Sequence, residues 1–433
     1  MSTPDATSRE STSMRTDPLR VAFVVTSLPV GGAEVLLLNL VRGMDRQRFA
    51  PQVMCTKEGG ALHAPMAAAV PVHTRFLQSK YDLRVIPRMT RFFRRHRIDA
   101  VVTVGAGDKM FWGRLCARLA GVPVVCSALH STGWPDSVGR LNRLLTPCTD
   151  GFIACAQRHA AHLVHREGFP ADRVYVVPNG VDTDRFKPDG ARRAALRAEL
   201  GLPPHVPLVG VVAALRPEKN LIQFVEAAAR TLRVVPDAHF VVVGDGPQRS
   251  VIEQRISELG LVRRIHLLGR RADTEAILAG LDVFCLTSRN EANPVSILEA
   301  LACGVPAVSP EVGSVPESVL PEQTGLLTQP LSVESTTQAL VRLLDAPQWA
   351  RRLGEQGRQH VVENFSLSVM VDGYESLLTL LYNRAAERRR WPLLSKGDRR
   401  DVLYQPARGA EIDCACVHNV VHMTGAEFGT TRG

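Results

Sequence analysis

The sequence predicts a doubly wound α/β protein made of two halves of similar size. Short apolar runs rich in β-branched residues alternate with helical stretches, which is the pattern of buried parallel strands and crossover helices. A segment at 174–188 that contains proline and Asn-Gly interrupts this alternation, which then restarts. The composition is that of a folded protein, since 45% of the 433 residues are hydrophobic and 22% are charged.

The first half opens with the continuous apolar run 20–28, which predicts a strand buried on both faces. A glycine-containing turn follows, and a helix is predicted over 35–44. The strand signal recurs, with helical patterns between the runs, at 50–56, 72–77, 100–105, 123–129 and 151–156. We therefore expect a Rossmann-like domain over 19–178, preceded by a disordered N-terminus at 1–18.

The second half repeats the pattern after a predicted linker at 179–190. Strands are predicted at 208–215, 239–244, 265–269, 282–288 and 305–310, with helices near 220–235, 247–260, 272–280 and 294–303. We expect a second Rossmann-like domain over 191–365 and a last helix over 366–384. The tail at 385–433 lacks hydrophobic periodicity, so it is predicted to be disordered.

Several classes of protein are not expected from the composition. No run of 18 uncharged apolar residues is present, and the N-terminus lacks the apolar core of a secretory signal. The nine cysteines include no C-x-x-C pair, which disfavours a zinc site or a disulfide framework and favours a cytoplasmic protein. The net charge is +9, but nucleic-acid binding is not expected, because the basic stretches lack interleaved aromatic residues and a recognition motif.

Two loops carry features suited to anions. Gly31 and Gly32 lie between the first strand and its helix, where glycines let backbone N–H groups approach a phosphate. Arg216 and Lys219 follow the first strand of the second half, at the edge where an open α/β sheet binds its ligands. Taken alone, the glycines also suit a tight packing turn and the cations a solvated loop. A dinucleotide is disfavoured, because the full G-x-G-x-x-G pattern is missing.

The segment 291–299 carries two carboxylates that can face one crevice. Glu291 falls in a loop after a predicted strand, and Glu299 falls within about two turns of the start of the following helix. Glu299 can chelate a vicinal diol such as ribose, and Glu291 can hold sugar hydroxyls; two ordinary surface glutamates are the alternative. Asp182 and Asp184 form a D-x-D pattern in the predicted linker, where aspartates commonly serve turns, so we do not assign a metal site to them.

Taken together, these motifs identify a family by their order and spacing. The chain from about residue 19 to 384 resembles the retaining GT-B glycosyltransferases of family 4. The resemblance implies two Rossmann-like domains that face each other across a cleft, an acceptor domain followed by a nucleotide-sugar domain, with the last helix crossing back to the first. The segments that carry it are Gly31–Glu34, Pro178–Asp182, Arg216–Lys219, Gly244–Pro247, Glu291–Glu299 and Gly304–Pro306.

The resemblance also implies roles for individual residues. The catalytic set is Glu291, Lys219 and His130, the last being a cleft histidine after the strand at 123–129. The expected donor is a UDP-sugar or GDP-sugar and the acceptor a glycan, a lipid-linked molecule or a small molecule; no metal and no further cofactor is expected. The implied donor-binding residues are Arg216 and Lys219 at the diphosphate and Glu299 at the ribose. Glu291 would bind the sugar together with the backbone N–H groups of Ala292, Asn293 and Val295. Gly31 and Gly32 would lie near the diphosphate and the acceptor.

One position departs from the family pattern. The usual diphosphate arginine stands five residues before the lysine, where this chain has Ala214, and we expect Arg216 to replace it. This departure leaves one alternative to a retaining, metal-independent glycosyltransferase, a catalytically degenerate GT-B protein that binds a nucleotide or a partner. A second alternative, which does not depend on Ala214, is another enzyme class on the same fold, a nucleotide-sugar epimerase or a phosphorylase.

A basic helix in the first domain suggests a membrane contact. Arg84, Arg88, Arg91 and Arg95 recur at the spacing of one helix face. A basic amphipathic helix commonly binds anionic lipid, so peripheral attachment at the inner face of the membrane is one interpretation. A solvated outer helix is the other.

Overall fold

Two mainly parallel β-sheets, one in each half of the chain, organise the computed structural model, which describes residues 17–79, 82–105, 107–130, 141–390 and 418–419. Helices lie between successive strands of both sheets, so the predicted doubly wound α/β class is confirmed. Within the described part of the chain, no helix combines the length and the apolar character that a bilayer span requires.

The N-terminal sheet contains parallel strands that we number in chain order: β1 (Leu19–Val25), β2 (Phe49–Cys55), β3 (Val72–His73), β4 (Ala100–Val104), β5 (Val124–Ala128), β6 (Gly151–Ala154) and β7 (Val174–Val176). Their order across the sheet is β7-β6-β5-β4-β1-β2-β3. The direction of winding therefore reverses beside β1, between β1 and β4, which is the kind of point at which such sheets open a crevice.

The C-terminal sheet repeats this arrangement with the strands β8 (Leu208–Val212), β9 (His239–Val243), β10 (Ile265–Gly269), β11 (Val283–Cys285), β12 (Ala307–Pro310) and β13 (Gly325–Thr328). Their order is β10-β9-β8-β11-β12-β13, the order 3-2-1-4-5-6 of a Rossmann domain. A two-residue strand, β14 (His418–Asn419), pairs antiparallel with β7 at the edge of the N-terminal sheet.

The helices cover both faces of the sheets. In chain order, those of the described residues are α1 (Gly32–Gly43), α2 (His63–Ala67), α3 (Val85–Arg95), α4 (Asp108–Ala120), α5 (Gln157–His165), α6 (Gly190–Glu199), α7 (Leu221–Thr231), α8 (Arg249–Glu258), α9 (Thr274–Gly280), α10 (Val295–Ala302), α11 (Val315–Ser318), α12 (Val333–Leu344), α13 (Pro347–Asn364) and α14 (Leu367–Arg390).

Burial on both faces explains the continuous apolar strands. Adjacent residues of a strand point to opposite faces, and Phe23 and Val24 of β1 are both fully buried. Phe23 packs in the cluster formed with α1 and α14, whereas Val24 packs in the cluster formed with α3 and α4. A polar residue at either position would be buried without water, so the run stays apolar.

The chain passes between the domains twice, and the two passages touch. Val181 N–H donates to the Phe365 carbonyl at 2.8 Å, and Leu367 N–H donates to the Val181 carbonyl at 2.9 Å. Helix α14 then packs in the N-terminal core through the buried side chains of Met370, Val371, Tyr374, Leu377, Leu378 and Leu381. The second passage therefore completes the hydrophobic core of the first domain.

A buried carboxylate fastens α14 to this domain. Glu375 Oε1 accepts the N–H of Asp45 at 2.7 Å, and Oε2 pairs with Arg48 Nη1 at 3.0 Å. Burial raises the pKa of Glu375, while the Asp45 N–H and the Arg48 charge oppose the shift. Both carboxylate oxygens thus hold the loop that follows α1.

The last helix is longer than the sequence predicts. It continues past residue 384 to Arg390, and β14 forms within the tail, so the prediction of disorder from 385 is wrong at these residues. Residues with high helix propensity continue the helix after its apolar periodicity has ended, so the hydrophobic pattern does not predict where this helix ends. Residues 1–16, 391–417 and 420–433, which the sequence also predicts to be disordered, lie outside the described residues.

Candidate active site

The candidate active site lies at the point where the winding of the C-terminal sheet reverses. Strand β8 has β9 on one side and β11 on the other. From β8 the chain adds β9 and β10 on one side, and it then returns to the other side of β8 to add β11, β12 and β13. The loops after the strands therefore diverge and leave a crevice at their carboxyl ends. These loops contain the predicted residues Arg216, Lys219 and Glu291.

The loops after β8 and β9 are packed backbone against backbone. Gly244 has φ of 136°, and a Cβ there would lie 1.9 Å from the Ala213 carbonyl oxygen. The Leu215 N–H donates to the Asp245 carbonyl at 3.0 Å. Only glycine fits position 244, and its close approach fixes the path of the chain toward Lys219.

The loops after β8 and β11 are joined by hydrogen bonds. Thr287 Oγ1 lies 3.2 Å from the Lys219 carbonyl and 3.1 Å from the Asn220 carbonyl. The Arg289 N–H donates to the Glu218 carbonyl at 2.9 Å. The short 3₁₀ turn Pro217–Lys219 is thereby held against the end of β11.

Lys219 and Glu291 meet in this crevice. Lys219 Nζ lies 2.5 Å from Glu291 Oε1, and the side chains are 25% and 10% exposed, respectively. A charge-assisted bond of this kind satisfies both groups where little water reaches them. A bound anion would compete with Glu291 for the ammonium group, and freed carboxylate oxygens can accept hydroxyl hydrogens.

The loop that carries Glu291 reaches the N-terminal domain. Asn293 is buried, and its Nδ2 donates to the Cys155 carbonyl at 3.0 Å. Asn179 Nδ2 donates to the Asn293 carbonyl at 3.1 Å, and Val295 packs against the cores of both domains. Ala292, before Asn293, is partly exposed. The structure thus places this loop at the boundary between the domains.

Glu299 lies in α10, apart from the Lys219–Glu291 pair. Burial raises the pKa of Glu299 to about 7; the Arg185 charge opposes this shift and Glu275 adds to it. Arg185 in turn pairs with Glu275, with Nη2 and Oε2 2.8 Å apart. A carboxyl group near half ionisation at neutral pH can both donate and accept hydrogen bonds.

Arg216 extends from the loop after β8 toward solvent. Its side chain is 64% exposed, and its Nη1 lies 3.9 Å from Glu218 Oε1, which is a long distance for an ion pair. Ala214, which stands where the family arginine is expected, is also exposed. The structure therefore leaves the Arg216 guanidinium able to turn toward an anion, but it does not join Arg216 to Lys219 or Glu291 within the described residues.

His130 lies across the boundary, after β5. Burial and the Lys109 charge lower the pKa of His130 to about 4, while a hydrogen bond with Asn179 opposes the shift. Its Nδ1 is buried and has no hydrogen-bond partner among the residues that the structure describes. His130 is therefore neutral at physiological pH and offers an acceptor nitrogen rather than a positive charge.

The two predicted glycines begin α1 of the N-terminal domain. Gly31 caps the helix with an extended backbone, and a Cβ there would lie 2.6 Å from Glu34 Oε2. A Cβ at Gly32 would meet no atom within 4 Å. The Glu34 carboxylate thus lies beside Gly31 at the start of this helix, while the space around Gly32 is open.

The D-x-D pattern of the linker forms a turn. Asp182 Oδ1 accepts the N–H groups of Asp184 and Arg185 at 3.1 and 2.9 Å. Within the described ranges, no group of three His, Cys, Asp or Glu side chains is placed to hold a metal ion.

The structure adds Asn179 and Thr287 to the site, and it adds a side-chain role for Asn293. All three side chains position the loops through hydrogen bonds. Asn179 stands in a motif that the sequence analysis interpreted as a linker, and Asn293 was expected to act through its backbone alone. Their partners lie far away along the chain, so no local signal identifies these contacts.

Two family models match the two halves of the chain. Residues 30–185 match "Glycosyltransferase Family 4", and residues 192–360 match "Glycosyl transferases group 1". A GDP-mannose-dependent alpha-(1-6)-phosphatidylinositol monomannoside mannosyltransferase of Mycolicibacterium smegmatis is 30% identical over 346 residues, which cover 77% of this chain and 89% of the relative.

The chain belongs to the GT-B glycosyltransferases of family 4 type.

Another relative of this glycosyltransferase is the UDP-Gal:alpha-D-GlcNAc-diphosphoundecaprenol alpha-1,3-galactosyltransferase of Escherichia coli. It is 27% identical over 376 residues, covering 83% of this chain and 96% of the relative. The fold is similar to the crystal structure of Anabaena HepE in complex with UDP and glucose. That likeness has a TM-score of 0.75 at 22% identity and covers 83% of this chain and 99% of HepE. The predicted GT-B architecture is confirmed.

The raised pKa of Glu299 predicts how the stability of the glycosyltransferase depends on pH. A carboxyl whose pKa is about 7 in the fold and 4.5 ordinarily disfavours folding once it ionises. Its unfavourable contribution therefore grows as the pH rises from about 4.5 to about 7 and is constant above. We expect Glu299→Gln to raise the Tm at pH 8.5 and to change it little at pH 5, as measured by thermal denaturation.

Glu387→Gln is the matched control, since Glu387 is an exposed residue of α14. Equal changes in Tm at pH 5 and pH 8.5 in the Glu299 variant would contradict the assignment of a raised pKa.

Proposed function

We propose that the glycosyltransferase moves a sugar from a nucleoside diphosphate-sugar to a hydroxyl acceptor with retention of the anomeric configuration. The observation that carries this proposal is the Lys219–Glu291 pair, a cation and a carboxylate 2.5 Å apart in the crevice at the reversal point. The acceptor is a glycan, a lipid-linked molecule or a small molecule. Both the cation and the carboxylate suit parts of one donor.

The donor lies along the C-terminal domain in this proposal. Lys219 and Arg216 bind the diphosphate, because both are cations on the loop that follows β8. Glu299 accepts the ribose hydroxyls. Glu291 holds the sugar together with the backbone N–H groups of Ala292, Asn293 and Val295, while Gly31 and Gly32 approach the diphosphate and acceptor from the other domain.

Transfer with retention requires attack from the face that the diphosphate leaves. The bond between the anomeric carbon and the phosphate oxygen breaks, the acceptor oxygen bonds to that carbon, and its proton passes to the departing diphosphate. Lys219 and Arg216 stabilise the charge that develops on the leaving group, which can supply several kcal/mol. These cations support the further proposal that no metal ion is required.

Neutral His130 supports a role beside the acceptor. Its buried Nδ1 can accept a hydrogen bond from a hydroxyl group, and its low pKa keeps that nitrogen unprotonated. The Asn179 hydrogen bond orients the ring toward the loop that carries Glu291. His130 therefore positions a hydroxyl group and does not stabilise the diphosphate.

Ala214 favours a second candidate function. With no arginine at that position and Arg216 largely exposed, a protein that binds a nucleotide or a partner without turnover is the alternative. The two candidates differ in turnover, since both allow a nucleotide to bind.

Helix α3 supports a peripheral site at an anionic membrane surface. Arg84, Arg91 and Arg95 are exposed, and Leu83 beside them is 67% exposed; Arg88 is tied to Asp82 at 3.3 Å. The names of two relatives specify a diphosphoundecaprenol-linked sugar and a phosphatidylinositol monomannoside. We propose that the protein is cytoplasmic and docks this face on the inner surface of the membrane.

Nucleotide binding is tested by thermal shift with UDP, GDP, ADP and their common sugars, with and without EDTA. One diphosphate at 100 times its Kd is expected to add about 2.7 kcal/mol of stability, and EDTA is expected not to change this. Lys219→Ala should abolish the shift, whereas Arg233→Ala, at an exposed arginine away from the crevice, should keep it. No shift with any diphosphate would contradict the assignment of the donor.

Turnover is tested with the donor that binds and a set of hydroxyl acceptors, and NMR identifies the anomer formed. We expect an α-linked product from an α-linked donor at equal rates with and without EDTA. Lys219→Ala should lower kcat at least 100-fold, the scale on which removal of one stabilising group acts. Inversion or EDTA sensitivity would overturn the mechanism, and binding without product would support the degenerate candidate.

Membrane docking is tested by sedimentation with vesicles of phosphatidylcholine alone or with phosphatidylglycerol. Replacing Arg84, Arg91 and Arg95 by Gln should weaken binding to anionic vesicles on the order of 100-fold, since each basic residue contributes about 1 kcal/mol. Gln at the exposed Arg233, Arg351 and Arg352 is the control with the same change of charge. Equal losses in both triple variants would show a general charge effect and contradict docking through α3.

A further inference from the structure

Glu317 of the C-terminal domain contacts the start of a helix in the N-terminal domain. Its Oε2 accepts the N–H of Gln157 at 2.8 Å, and its Oε1 accepts the N–H of Arg158 at 2.6 Å. These are the first two residues of α5. One carboxylate of the nucleotide-sugar domain therefore binds a helix end of the other domain with both of its oxygens.

Helix α5 has no cap of its own. Its N-cap residue is Ala156, whose side chain cannot accept a hydrogen bond, and the first N–H groups of a helix have no partner within it. These groups and the helix dipole favour a negative charge at this end. Glu317 supplies that charge from the other side of the domain boundary, so the cap exists only when the domains are together.

The segment that carries Glu317 is fixed to the loop of Glu291. The Ser314 N–H donates to the Glu291 carbonyl at 3.1 Å. Gly313 has φ of 51°, and a Cβ there would lie 1.9 Å from the same carbonyl oxygen. The two backbones are in contact with no space between them, so a shift of the Glu291 loop is passed to Glu317.

A second contact grips the same turn of the N-terminal domain. Asn293 Nδ2 donates to the Cys155 carbonyl at 3.0 Å, and Cys155 precedes Gln157 by two residues. The Glu291 loop thus holds one end of the turn through Asn293, and the segment fixed to that loop holds the other end through Glu317. Both contacts cross the domain boundary.

We propose that Glu317 is a positioning residue that sets the two domains in the arrangement used for transfer. The cap on α5 stabilises the closed cleft, and the Ser314–Glu291 connection makes this closure depend on where the donor places the Glu291 loop. The inference rests on the proposed function, because it assigns the donor sugar to Glu291. It predicts a residue that governs transfer without contacting the donor.

Two variants remove the cap from opposite sides. Glu317→Ala removes the carboxylate, with Glu317→Gln as a milder change that keeps the shape. Gln157→Pro removes one N–H and leaves the C-terminal domain unchanged. Proline suits the first position of a helix, and Ala156 before it is already extended, with φ of −166° and ψ of 161°. Glu311→Gln is the control, since Glu311 lies on the same segment in an exposed pair with Arg158 at 3.7 Å.

Small-angle X-ray scattering of the full chain measures closure, with and without UDP or GDP. We expect a larger radius of gyration for Glu317→Ala and Gln157→Pro, and parental scattering for Glu311→Gln. Nucleotide affinity should stay within about twofold of the parent, while kcat/KM for transfer falls on the order of tenfold, as expected for a charge-assisted bond. The double variant should lose no more than Glu317→Ala alone, because Gln157→Pro removes one of the two hydrogen bonds that Glu317→Ala already abolishes.

Scattering of Glu317→Ala identical to the parent, or additive losses in the double variant, would overturn the inference. If Glu317→Ala does not fold, Glu317→Gln and Gln157→Pro carry the same comparison. The scattering of the unliganded proteins needs no donor. Failure of the parent to bind any nucleotide would therefore count against the proposed function and leave the role of Glu317 in closure to be decided separately.

Discussion

The ion pair between Lys219 and Glu291 joins the loops on the two sides of the reversal point, and the shape of the crevice depends on it. Withdrawing two charges from water is costly, and removal of one partner would leave the other buried and unpaired. Thr287 and the Arg289 N–H hold the loops at the distance that the pair requires. The charges are therefore held in place by the protein itself, and within the proposed function this is the condition under which they stabilise a transition state most effectively.

The fold could be predicted largely from the sequence, because local patterns encode it. The apolar run 20–28 overlaps the strand Leu19–Val25, and its continuity follows from burial on both faces. The end of the last helix could not be predicted in the same way. The residues from 385 to Arg390 include Ala, Glu and Arg, which favour helix through the backbone without an apolar stripe. Hydrophobic periodicity indicates which helix residues pack against the core, and this helix continues beyond the end of its apolar stripe.

In the candidate site, too, the sequence predicts what local patterns encode and does not predict contacts between distant residues. Residues that follow strands could be named from their motifs, since the carboxyl ends of parallel strands share one edge. The contacts could not, because Lys219 and Glu291 are 72 positions apart and Gln157 and Glu317 are 160 apart. Such pairs depend on strand order and on how two domains face each other. Ala156, which cannot cap the helix that begins at Gln157, is the one sequence feature that marks the Gln157–Glu317 contact, and it does not identify Glu317 as the partner.

Burial acts on the titratable groups of the cleft in one direction, toward their uncharged forms. It lowers the pKa of His130 to about 4 and raises that of Glu299 to about 7, while Lys219 and Glu291 form an ion pair in the crevice. Within the proposed function, a diphosphate is the part of the donor that can draw Lys219 from Glu291. Only then are the Glu291 oxygens free for sugar hydroxyls. In this proposal a nucleoside or a free sugar alone does not separate the pair, so the crevice is expected to recognise diphosphate and sugar as one ligand.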